Sequence, residues 1–100
     1  MSNPHEITLA EAITMTHAYA NDPQFTGLTR AAMFPANAFT DILSQANCVG
    51  IRSYFGLNSS GLLTLVMVGV TENGDELTNG VIMDLALLCP TTCKINSPLM

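Results

Sequence analysis

The sequence predicts an α+β fold: two N-terminal helical segments packed on a three-stranded antiparallel meander, with an extended C-terminal tail. Three observations predict it. A helical period with its own start signal runs from Thr8 to Ala20, and the apolar period changes from about 3.6 to two at Cys48. Turn sequences at Asn58–Gly61 and Asn73-Gly74 then divide the remainder into strands. A chain of 100 residues is the size of one domain, so a single domain over 1–100 is expected, with a helical part at about 8–46, a sheet part at about 48–89 and a tail over 90–100.

The first helix is the best marked element. Thr8 and Glu11 stand in capping-box spacing, where the Thr hydroxyl accepts the third helical N–H and the Glu reaches back to the cap. Leu9, Ala12, Ile13, Thr16, Tyr19 and Ala20 share one stripe of the helix. Asn21-Asp22-Pro23 ends it, because the residue before a proline is pushed out of the α region. The expected span is about 9–20.

Gln24 to Phe34 reads ambiguously, with a short helical turn over Leu28–Met33 as its expected content. Pro35 suits the first turn of a second helix. Phe39, Ile42 and Leu43 share a face there, and the helix should stop near Gln45 or Ala46.

Beyond Cys48 the residues alternate. Val49, Ile51, Ser53, Phe55 and Leu57 face one way, and Arg52 and Tyr54 face the other. The second strand, Leu62–Thr71, is apolar on both faces, a pattern normal for strands covered on both sides. Asn73-Gly74 is a type I′ turn signal. The third strand is expected from about Glu76, broken at Asn79-Gly80, resuming over Val81–Leu88 and ended by Pro90. Short links put the second strand in the centre of the sheet.

Bulk composition narrows the partners. Eight acidic residues against Arg30, Arg52 and Lys94 leave a net charge of −5. Nucleic acid and anionic membrane surfaces both call for clustered cations, so neither is an expected partner. Charged residues make up only 11% of the chain, against about 25% in ordinary domains. Low charge, together with a central strand apolar on both faces, points to a homodimer. The longest apolar run, Leu62–Val70, is far short of a membrane helix. Met1 to Glu6 carry no secretory signal pattern, so a cytoplasmic, reducing setting with free thiols is expected.

Few residues offer chemistry. Cys89-Pro90-Thr91-Thr92-Cys93 is a C-x3-C, open to readings as free thiols, a disulfide or half of a zinc site. Zinc needs two further ligands, and only Cys48, His5 and His17 are soft enough. No metal and no cofactor are therefore assigned, and Cys89 and Cys93 stand as a candidate redox or disulfide pair. Arg52 is the lone cation in a strand, on one face with Tyr54. Pairing with Asp84 or Asp41 is the plainer account, and an anionic ligand on an Arg52/Tyr54 site is the alternative. A catalytic Cys48 or Cys89 with His17 lacks any motif to bring the groups together. No catalytic residue is assigned.

Four segments also carry a resemblance. Thr8–Ala12, Arg52-Ser53-Tyr54-Phe55-Gly56-Leu57, Leu65–Val70, and Cys89-Pro90-Thr91-Thr92-Cys93 followed by Ser97-Pro98-Leu99 form an ordered set. The chain resembles a group of short uncharacterised bacterial proteins with a C-terminal C-P-x-x-C…S-P-L pattern. That resemblance implies a stand-alone bacterial domain and lends no activity and no site residue. The favoured expectation is a non-enzymatic domain acting by protein–protein interaction or self-association, ahead of an anionic-ligand binder and a Cys/His enzyme.

Overall fold

The computed structural model describes residues 3–100. Met1 and Ser2, at the head of the segment without a signal pattern, lie outside the described residues. The fold is α+β, with two α-helices and a three-stranded antiparallel sheet, joined by a second, two-stranded sheet. By contacts the chain divides into two compact units: residues up to Leu28 together with Cys93–Met100, and Thr29–Thr92.

In the first unit, helix α1 spans Leu9–Asn21 and starts on the expected capping box. The Glu11 N–H donates to Thr8 Oγ1 at 3.1 Å, and the Thr8 N–H donates to Glu11 Oε1 at 3.0 Å. Ala12, Ile13, Thr16, Tyr19 and Ala20 are half-buried, whereas Leu9 is exposed. Asp22 closes the helix in an extended conformation and caps a 3-10 turn over Pro23–Phe25 by accepting the Gln24 N–H at 2.9 Å. That turn stacks the Phe25 ring on Tyr19, with centroids 4.8 Å apart. Cys93–Met100 contains turns and no helix or strand.

The second unit holds the sheet. Strand β1 is Ala31–Met33, helix α2 is Ala36–Leu43, and β2 and β3 are Gly50–Leu57 and Leu63–Val70. Strands β4 and β5 are Ile82–Met83 and Leu87–Cys89. The order β2-β3-β4 puts the second strand of the meander in the centre, as its sequence demands. Helix α2 lies across all three strands. Ile42, fully buried, packs with Phe34, Ala38 and Met67 into the core, and Ile51, Leu65, Val81 and Met83 close around it.

Four expectations need correction. The segment expected to form a helical turn over Leu28–Met33 is instead strand β1, paired antiparallel with β5 through Ala31↔Cys89, Ala32↔Leu88 and Met33↔Leu87. Phe34 precedes Pro35, which favours extended backbone, and a tertiary partner overrides the weak helical preference of Ala-Ala-Met. The third strand is correspondingly not continuous. It leaves the sheet after Met83, and Leu85, at φ 61° and largely exposed, sits where the chain turns towards β5. Pro35 is the cap of α2, not a residue of its first turn.

The turn at Asn73-Gly74 is the fourth. A type I′ turn needs positive φ at both residues, but only Gly74 has it, at 86°. The Gly74 N–H donates to Thr71 O and the Thr71 N–H to Asp75 O, so the loop has three residues, with glycine in the left-handed position. The β2–β3 hairpin is built the same way: the Gly61 N–H donates to Asn58 O, the Asn58 N–H to Leu62 O, and Gly61 has φ 76°. One residue of loop length decides a face. A two-residue turn would set Leu77 opposite Val70, whereas the bridge observed is Val70↔Glu76. Glu76 therefore shares the face of Val70, and with it that of Arg52.

Candidate functional site: the Arg52 cluster and the free edge of the sheet

Arg52 and Tyr54 alternate along β2 with Ile51, which packs against the core under α2, so both project from the face opposite α2. The structure brings them together with Glu76, a residue the sequence did not single out. Arg52 Nη1 donates to Glu76 Oε2 at 3.0 Å, and Tyr54 Oη donates to the same oxygen. Asp84 and Asp41, the partners expected for Arg52, do not fill that role. The bond from Tyr54, then the one from Arg52, hold the Glu76 carboxyl below the ordinary glutamate value. The same bond to Glu76 raises the Tyr54 phenol, and it raises the Arg52 guanidinium further. The cluster is solvated, with the Arg52 side chain 46% exposed, so its pair is screened.

Beside that cluster runs the outer edge of β2. In the β2–β3 ladder Asn58 donates to Leu62, which makes the even-numbered β2 residues the hydrogen-bonded ones and turns the amides and carbonyls of Ile51, Ser53, Phe55 and Leu57 outward. No strand among the described residues pairs with that side. Phe55 and Leu57, whose backbone groups line that edge, are 80% and 73% exposed. The strand has no proline and no lysine, and its only charge is Arg52. Natural sheets usually guard an edge with such residues or with bulges.

On the other side of the sheet, Gln45, which follows α2 and which the sequence does not single out, fills the break in the third strand. Its Nε2 donates to Ile42 O at 2.9 Å, and its Oε1 accepts the Val81 N–H at 2.8 Å. The amide lies in a slot that two glycines open. A Cβ on Gly80 would meet Oε1 at 2.0 Å, and one on Gly69 would meet Cys48 Sγ at 2.9 Å. Gly80, expected as a bulge, lies in this break of the third strand.

The cysteines divide. Cys89 and Cys93 are disulfide-bonded, against the expectation of thiols, while Cys48 is free, with its Sγ donating to Gly50 O at 3.3 Å. His17 is half-buried on α1 and His5 is exposed. Among the described residues no group of three or more His, Cys, Asp or Glu is placed to hold a metal ion. Among the described residues no helix is long and apolar enough to cross a membrane. No protein-family model, curated protein or solved structure matches the chain.

Proposed function

We propose that this chain works by protein–protein contact, taking a strand of its partner onto the outer edge of β2. The observation that carries the reading is the eight-residue length of that edge, with its outward amides, its exposed Phe55 and Leu57 and its lack of guarding residues. Strand addition draws affinity from main-chain hydrogen bonds and specificity from alternate side chains, and this edge offers both. An anion at Arg52 would first have to displace Glu76, so the ligand reading is carried no further. The bacterial origin stays tied to the resemblance. Free thiols were expected to follow from a cytoplasmic setting, and the disulfide-bonded Cys89 and Cys93 weigh against that setting.

Residue-resolved amide exchange in dilute protein tests the reading. Ser53 and Phe55 should exchange freely while their neighbours Arg52 and Tyr54, bonded into β3, stay protected. Protection at Ser53 and Phe55 in the dilute monomer would mean that the edge is already covered, and the reading would fall.

A further inference from the structure

We infer that the occupant of the β2 edge is β2 of a second copy, added antiparallel about a two-fold axis at Tyr54. The inference rests on the strand-addition reading above and names its partner.

Geometry restricts the pairing to few registers. The outward hydrogen-bonding groups belong to residues 51, 53, 55 and 57, so an antiparallel partner must match odd positions with odd. With the axis at Tyr54, Ile51 faces Leu57 of the second copy and Ser53 faces Phe55, and each pairing recurs across the axis. All four outward residues then find partners within β2 itself. Moving the axis to Ser53 sets Leu57 opposite Val49, whose N–H already donates to Val70 O at 2.8 Å. Moving it to Phe55 sets Ile51 opposite Ser59, beyond the strand and in the turn.

Side chains fit that register. On the α2 side the small Ser53 receives the large Phe55, and the exposed Leu57 lies against the half-buried Ile51. On the other side Arg52 faces Gly56, and the two Tyr54 rings meet at the axis, in a non-hydrogen-bonded pair where side chains approach closely. Charge does not oppose it. Each chain carries −5, yet the strand has one charged residue, and that residue is already paired with Glu76. The two Arg52 residues would stand four positions apart along the strands, about 13 Å, beyond the screening length of about 8 Å in physiological salt. The shared edge is about 23 Å long, the seven residues 51–57 at about 3.3 Å each.

Sedimentation equilibrium, a cysteine trap and amide exchange test this together. The wild-type mass should rise with concentration from 10.7 kDa to twice that. Ser53→Pro should stay monomeric, because its lost N–H points away from β3 and leaves the internal ladder whole. Should the proline unfold the strand, Phe55→Lys provides the same block by charge at an exposed position. On a Cys48→Ala background, Tyr54→Cys should form an intermolecular disulfide under mild oxidation faster than Ser53→Cys or Phe55→Cys. Faster trapping at Ser53 or Phe55 would overturn the register. A wild-type chain that remains monomeric at millimolar concentration, with the Ser53 and Phe55 amides open, would overturn the second copy and leave strand addition standing. Closed amides in that monomer would overturn both.

Discussion

The two edges of the three-stranded sheet are opposites. On the β4 side Ile82 and Met83 pair with β3 as a strand and Glu76 bridges Val70 beside the turn, but between Leu77 and Val81 the chain swings out around the Gln45 amide. On the β2 side eight residues run without interruption and end in the open. A short, interrupted edge cannot template another strand, whereas a long straight one can. Helix α2 sharpens the contrast. It covers Ile51, Met67 and Met83 near one end of the sheet, and Phe55 and Leu57 emerge exposed farther along the same face. The lesson is that the half-buried Gln45 amide and two glycines interrupt the strand on one side of the sheet, and the β2 side carries no comparable device.

Mutations can break or sharpen that contrast. The largest effect belongs to the interrupted side: Ile42→Ala should cost about 2–5 kcal/mol in chemical denaturation, because the side chain is fully buried against Phe34 and Met67. Gln45→Ala leaves the Val81 N–H without its acceptor, and a loss of about 1–3 kcal/mol with faster exchange at Val81 is expected. Gly80→Ala drives a Cβ into the Gln45 amide, and should cost a similar amount, about 1–3 kcal/mol. On the open side Leu57→Lys should change monomer stability by less than about 0.5 kcal/mol. A large loss there would mean that Leu57 is packed and the contrast is false.

The smallest effect is electrostatic. Glu76 has its folded pKa depressed, so the stability it adds is present above the ordinary glutamate range and is lost as pH falls through the folded value. Glu76→Gln should therefore lower the melting temperature slightly near neutrality and not at all in strong acid. A difference that persists unchanged into acid would show that Glu76 acts by packing and not by charge.

Much of this was legible from residue order, and the boundary has a physical cause. Thr8, Glu11 and Pro23 mark α1 because caps and prolines act within a few residues of themselves. The change of period at Cys48 and the twofold apolarity of Leu63–Val70 placed β3 in the centre, since burial leaves a direct trace in side-chain type. The β1–β5 pairing left no such trace: Ala31-Ala32-Met33 is shaped by strand residues more than fifty positions away. Glu76 was missed for a subtler reason. Asn73-Gly74 fits two loop lengths, and the one-residue difference sends Glu76 to one face or the other. Gln45 looked like a helix end, and only the glycines at 69 and 80, far along the chain, make room for its amide.

A second subunit was expected because β3 is apolar on both faces, yet Val68, on the face away from α2, is only 4% exposed in the single chain. Burial of that face no longer calls for a partner. The case for one has moved from the face of the sheet to its edge.

The most direct measurement is amide exchange along β2, followed across protein concentration. Outward Ser53 and Phe55 should slow in step with concentration, while inward Arg52 and Tyr54 hold a constant protection set by β3. Outward and inward amides equally protected at every concentration would contradict an open edge, and outward amides that stay fast at millimolar protein would contradict the second copy.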